Sequence, residues 1–252
     1  MNVESYIRTC QSQGRKMLAV LLDPENLTDT LSVSTIGHAV AAAKPDFIFI
    51  GGSTFFGSTT PLIRAIREWV SDIPIVLFPG HPNQFSPEAD AVLFLSLISG
   101  DNPDTLIRWQ VQSAREVRDS HIESIPMAYI LIGDSNSATA RVTHTSGIPI
   151  ADLERITNTA IAGELLGKHL TYLEAGSGAG NPLSPTLIAQ VRKEIQGPLI
   201  VRGGIQTINQ TLQAWQAGAD IIVIGNHLEH NPQELLAFCQ ARNTMNELLY
   251  TK

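Results

Sequence analysis

Eight short apolar runs, most of them separated by helical stretches, set the tightest limit on what this chain folds into. They are MLAVLL (17–22), DFIFI (46–50), PIVLF (74–78), AVLFL (91–95), AYILI (128–132), LTYLEA (170–175), PLIVR (198–202) and DIIVIG (220–225), each bounded by Gly, Pro or Asp. Unbroken apolar character, without alternation, marks strands buried on both faces of a parallel sheet. Between them lie helical stretches such as 105–120 and 153–169, so strand and helix alternate. Helix starts are signalled by an oxygen-bearing residue before proline at Thr60–Pro61, Asn102–Pro103, Ser184–Pro185 and Asn231–Pro232. The side-chain oxygen caps free N–H groups and proline tolerates the first helical position. Over 252 residues this rhythm favours a (β/α)8 TIM barrel, one domain over 1–252, above an open doubly wound sheet.

One link is too short. Only GHPNQFSPEAD joins the third run to the fourth, less than a crossover helix needs. The third outer helix is expected to be missing or reduced to a turn. The apolar barrel wall exposed there would suit an elongated apolar ligand, a covering loop or a partner subunit.

A net charge of −7, with no basic cluster, excludes a broad nucleic-acid or anionic-membrane surface. No apolar run reaches membrane-spanning length and the N-terminus lacks an apolar core. Cys10 and Cys239 have neither disulfide-framework nor metal spacing, which reads as reduced thiols in a cytoplasmic protein.

Barrel chemistry sits at the C-terminal strand ends. Runs six, seven and eight end in EAGSG (174–178), RGGI (202–205) and GN (225–226). Bare backbone there, next to helix starts, would hold phosphate without lysine or arginine. Asp23 ends the first run and is the candidate Mg²⁺ ligand, with Ser53 or its neighbour Thr54 as a second oxygen across the mouth. Glu174, if inward, would accept hydrogen bonds from substrate hydroxyls or act as general base, with Tyr172 facing the same way. No lysine stands at a strand end, so Schiff-base chemistry falls. His227 and His230 read as a solvated helix entry.

Taken together, LLDPEN (21–26), FIGGST (49–54), the 78–103 segment, YILIGDSNSATARVT (129–143), YLEAGSGA (172–179), VRGGI (201–205) and IVIGN (222–226) resemble the geranylgeranylglyceryl phosphate synthase family, which includes bacterial heptaprenylglyceryl phosphate synthases. Its members are barrels lacking the third outer helix. The resemblance implies transfer of a polyprenyl group, geranylgeranyl being the expected one, from its diphosphate to sn-glycerol 1-phosphate with Mg²⁺. It assigns metal and diphosphate to Asp23 and Ser53, and glycerol phosphate to Tyr172, Leu173, Glu174, Ala175, Gly176, Ser177, Gly178, Gly203, Gly204, Gly225 and Asn226. The prenyl tail would run past Phe55 and Phe56 toward the missing helix. Leu21, Glu25 and Asn26 stand where many members carry lysine nearby, a pattern resembling the family's second branch. The same resemblance implies a homo-oligomer whose product passes to the membrane. Two rival readings are a phosphosugar isomerase using Asp23 and Asp134 and a non-catalytic phosphometabolite-binding barrel.

Overall fold

The computed structural model describes residues 2–133, 137–176 and 178–249. Eight parallel strands close in chain order: β1 (Met17–Leu22), β2 (Phe47–Ile50), β3 (Ile75–Leu77), β4 (Ala91–Leu97), β5 (Glu123–Leu131), β6 (Leu170–Glu174), β7 (Leu199–Arg202) and β8 (Ile221–Ile224). β8 pairs back onto β1, in the register Met17 opposite Ile221. Closure settles the choice between barrel and open sheet.

Two apolar layers hold the wall. Met17, Ala19, Leu21, Phe49, Tyr129 and Tyr172 point into the barrel, whereas Leu18, Val20, Ile48, Leu173 and Val201 pack outward. The outer layer is covered by α2 (Thr30–Ala43), α3 (Thr60–Arg67), α4 (Trp109–Ser120), α6 (Leu153–Leu165), α7 (Pro185–Glu194), α8 (Ile208–Gln216) and α10 (Leu235–Glu247). Two shorter helices, α5 (Ala138–Thr143) and α9 (Asn226–His230), sit on the loops after β5 and β8.

The polar N-terminal stretch is helical, which its pattern did not announce. In α1 (Val3–Ser12), Val3, Ile7 and Cys10 are buried and join the barrel-interior cluster, so this helix stoppers the floor. Glu123, at the start of β5, accepts from the Val3 and Glu4 N–H groups at 2.5 and 2.7 Å, satisfying donors that a helix N-terminus leaves free.

The third outer helix is absent as expected. Between β3 and β4 there is only a 3-10 turn, Pro82–Gln84. Fully buried Gln84 does part of the missing helix's work. Its Nε2 donates to the carbonyls of Gly52 (2.7 Å) and Phe55, and its Oε1 accepts from Gly80 N–H at 3.0 Å and Gly52 N–H at 3.3 Å. One side chain thereby fixes the loops after β2 and β3.

Of the four proline-marked helix starts, Ser184 accepts from Leu187 N–H at 3.2 Å and Asn102 from Asp104 N–H at 3.0 Å. The other two work differently. The residue preceding α3 is Thr59, whose hydroxyl donates to the Gln84 carbonyl at 2.7 Å. Asn231 instead closes the helix before it, donating through its amide to the His227 carbonyl at 3.1 Å, and makes no side-chain cap to the turn that follows.

Candidate active site

At the mouth, Asp23 follows β1 and stands directly over Gly52 after β2. A Cβ built on Gly52 would lie 2.3 Å from Asp23 Oδ1 and 2.4 Å from Oδ2, so glycine is required for the carboxylate to fit. Burial pushes the Asp23 carboxyl above its usual range, while the hydrogen bond from Glu25 N–H works the other way. Asp23 and Ser53 line one cavity, with about 620 Å³ of open space. Thr54 does not line it; its hydroxyl donates to the Glu25 carboxylate instead. Of the two oxygens considered, Ser53 is the one facing Asp23's cavity, and its Oγ lies 3.3 Å from the Thr139 hydroxyl.

The far end of this cavity is apolar: Phe78, Pro79, Leu95, Leu97, Trp109 and Val142. It runs toward the flank without a helix, where Pro79, Leu95 and Trp109 also wall a second apolar hollow with Phe85 and Val117. Phe55 and Phe56 line neither hollow. Phe56 is 57% exposed and meets His81 edge-on, ring centroids 5.2 Å apart. The indole of Trp109 lines both hollows. Trp215, by contrast, is core packing, its indole N–H donating to the Met17 carbonyl at 3.2 Å.

Glu174 points inward and is fully buried. Its Oε2 accepts from Arg202 Nη1 at 2.7 Å and from the Tyr129 hydroxyl at 3.2 Å, and its Oε1 accepts from Gly176 N–H at 2.9 Å. It lines neither the Asp23 cavity nor the glycine-walled one described next. Burial works against the Arg202 cation, and the Glu174 carboxylate beside it more than offsets that cost. Two residues below, Tyr172 stacks on Phe78 at 5.0 Å, and its buried hydroxyl has no hydrogen-bond partner. Leu173 faces the outer helix layer, so only its backbone belongs to the mouth.

Gly176, Gly178, Gly203, Gly204, Gly225 and Asn226 wall a further cavity of about 750 Å³. Only the β8 glycine abuts a helix start directly, Gly225 preceding α9. The β6 and β7 glycines lie in loops that reach α7 and α8 several residues later, so loop backbone, and no helix end, lines the cavity there. Ser177 and Asp134 lie outside the described residues. Gly204 is held at φ +69°, and a Cβ there would sit 2.2 Å from the Asn181 carbonyl carbon. Gly204→Ala is therefore expected to destabilise the fold by at least about 1 kcal/mol and to weaken phosphate binding. Calorimetry of glycerol phosphate binding together with thermal melting checks both.

Arg202 walls both cavities, so a polar, glycine-lined chamber and a chamber running from carboxylate to aromatics share one guanidinium. A family model described as PcrB matches residues 12–242. The chain belongs to the PcrB family. Relatives similar to it include the geranylgeranylglyceryl phosphate synthase of Zunongwangia profunda, 41% identical over 86% of this chain and 92% of that protein. The synthase of the same name from Thermococcus gammatolerans is 40% identical over 90% and 89%. Among solved structures, (S)-3-O-geranylgeranylglyceryl phosphate synthase of Thermoplasma acidophilum, in complex with its substrate sn-glycerol-1-phosphate, superposes with a TM-score of 0.89. It is 31% identical, over 97% of this chain and 99% of that one.

In this PcrB-family chain three site features escaped sequence reasoning. Arg202 closes an otherwise apolar strand, where a basic residue reads as a side chain reaching for solvent. Its Cα partner across the sheet is Glu174, and that opposition of unlike charges at two strand ends was the available signal. His227 and His230, read as solvated, line the glycine-walled cavity. His227 Nε2 lies 2.8 Å from Glu234, and His230 Nδ1 is 2.6 Å from the Asn226 carbonyl. Thr139, on α5, reaches the Asp23 cavity beside Ser53.

Proposed function

We propose that this chain joins sn-glycerol 1-phosphate to a polyprenyl diphosphate, geranylgeranyl diphosphate being the chain length named in its relatives. The carbon–oxygen bond to the diphosphate breaks, an ether bond to the glycerol hydroxyl forms, the hydroxyl proton is released and pyrophosphate departs. The observation that carries this reading is the pair of cavities meeting at Arg202, one lined by glycine loops and one polar at Asp23 and apolar beyond.

Each substrate has its own contacts. The loops at Gly178, Gly203, Gly204 and Gly225 bring amides to the phosphate of glycerol 1-phosphate, with Gly176, its own amide held by Glu174, and Asn226 beside them. Glu174 orients. Three of about four lone-pair positions on its carboxylate are taken by Arg202, Tyr129 and Gly176, and through Arg202 and Gly176, which do line the phosphate cavity, it sets the pose of the glycerol unit from behind the wall. Tyr172 packs beneath the site against Phe78, its buried hydroxyl without a partner. Phe78, Leu95, Leu97 and Trp109 take the first isoprene units, and the tail leaves toward the flank without a helix.

Asp23 and Ser53 suit Mg²⁺, which is satisfied by one or two carboxylates plus substrate phosphate and water oxygens. Their donor set is of that kind: one carboxylate wedged over Gly52 and one hydroxyl on the next residue. Among the described residues no group of three or more metal-binding side chains forms a closed cage. When bound, Mg²⁺ would neutralise charge gathering on the leaving pyrophosphate.

The test is direct. Protein, radiolabelled glycerol 1-phosphate, Mg²⁺ and prenyl diphosphates of several lengths are incubated and the lipid phase is extracted. Label is expected in the organic phase, most of it with the geranylgeranyl donor; folded protein that yields none with any donor would sink the proposal.

A further inference from the structure

Glu229 lines neither cavity, yet it joins them. It lies on α9, the short helix that begins at the Gly225–Asn226 phosphate loop. Its carboxylate crosses to the turn after β1. Oε1 accepts from the backbone N–H of Asp23 at 2.6 Å, and Oε2 accepts from the side-chain amide of Asn26 at 2.8 Å. The turn it grips is already tight, with Asn26 N–H donating to the Asp23 carbonyl at 3.0 Å and Glu25 N–H donating to Asp23 Oδ1 at 3.0 Å. Both ends of the Glu229 carboxylate are thus spent on the segment that presents Asp23.

We propose that Glu229 is a positioning residue that holds Asp23 in register with the glycerol-phosphate loop, so that filling the phosphate cavity tightens the cation–pyrophosphate site. The inference rests on the prenyl-transfer reading for what the two sites hold. Its geometric basis is continuous: phosphate loop, α9, Glu229, then the Asp23 turn. A ligand that fixes Gly225 and Asn226 fixes the start of α9, and Glu229 stands three residues further on.

Calorimetry tests it without turnover, with Mg²⁺ and inorganic pyrophosphate as probe, in the presence and absence of glycerol 1-phosphate. In the wild type, glycerol 1-phosphate is expected to tighten the probe about fivefold, within the common range of coupling between sites. Glu229→Ala should bind the probe about tenfold more weakly, as loss of an outer-shell partner does, and should lose the tightening, while binding glycerol 1-phosphate within about twofold of the wild type. In the assay the same variant should need more Mg²⁺ for half-maximal rate, and with the prenyl diphosphate saturating its KM for glycerol 1-phosphate should rise by up to about fivefold, the reciprocal of the lost coupling. Glu229→Gln, which keeps an acceptor for Asp23 N–H, should restore most of both. Should Glu229→Ala fail to fold, Asn26→Ala removes one of the two bonds and is expected to weaken the probe about threefold. Unaltered probe affinity in the folded variant, or a wild type indifferent to glycerol 1-phosphate, overturns the inference. A wild type that binds both ligands but makes no lipid overturns the proposed reaction and leaves the clamp standing.

Discussion

With Asp23 replaced by alanine, kcat for prenyl transfer is expected to fall by about 10³-fold, the usual cost of removing one preorganised partner of a charge that develops in the transition state. The barrel should remain folded. Asp23 docks on Glu229 through its backbone N–H, which alanine keeps, and the bond lost is the one its Oδ1 accepts from Glu25 on the exposed turn. Asp23→Asn should be equally inactive but more stable than the wild type without ligand. Burial raises the Asp23 carboxyl, against the pull of the Glu25 N–H bond. A carboxyl raised in the folded state adds stability while protonated, fully so below its unfolded value near ~4, and loses it as pH rises through the folded value. At neutral pH the ionised group therefore weakens the fold, and the asparagine variant should melt about 2 °C higher. The gap should close on acidification. Thermal melts across the acid-to-neutral range check this, and an asparagine variant that melts below the wild type at neutral pH contradicts it.

The second large effect is expected at Arg202. Arg202→Met strands a fully buried carboxylate at Glu174, and breaking a buried pair from one side destabilises by about 3–5 kcal/mol. For a chain of this size that is a fall of roughly 10 °C in Tm. Adding Glu174→Gln removes the stranded charge and should recover at least half of the loss, because the glutamine oxygen can still accept from Gly176 N–H. Activity should stay low in the double variant, since the guanidinium shared by the two cavities is gone. Stability and turnover would then separate cleanly. If Arg202→Met alone melts with the wild type, the carboxylate has found another partner and the pair matters less than its burial implies.

Much of this was legible from residues alone. Strand ends such as Asp23 and the glycines at 176, 203 and 225 could be picked out only together: an acid or a glycine after an apolar run is ordinary turn chemistry by itself, and gains meaning where several of them converge on one barrel mouth. The short link after β3 foretold the missing helix for a purely metric reason. Other features resist such reading. β5 begins at Glu123, five residues ahead of its apolar run, because Pro126 and two polar residues disguise its first half. The helix α1 was hidden since its three buried side chains are spread through a polar segment. Arg202 and Glu229 act through partners 28 and 206 residues away, and no local pattern encodes pairings across a closed barrel. Phe55 and Phe56 were plausible tail contacts by sequence proximity to Ser53, but the loop geometry set by Gln84 turns them away from the cavity.

The gap left by the third outer helix has a consequence for how such a protein can diversify. In a fully wrapped barrel, everything a substrate touches must fit within the mouth, so head group and tail compete for the same few loops. Here the helical ring is open between β3 and β4, and the hollow beyond Trp109 is walled by β4, α4 and the 3-10 turn, elements that carry none of the phosphate-loop glycines. Substrate length is thereby freed from barrel diameter. Changes on the flank can retune the tail while the loops at β6, β7 and β8 keep the head-group chemistry constant, a division of labour that makes the two specificities separately evolvable.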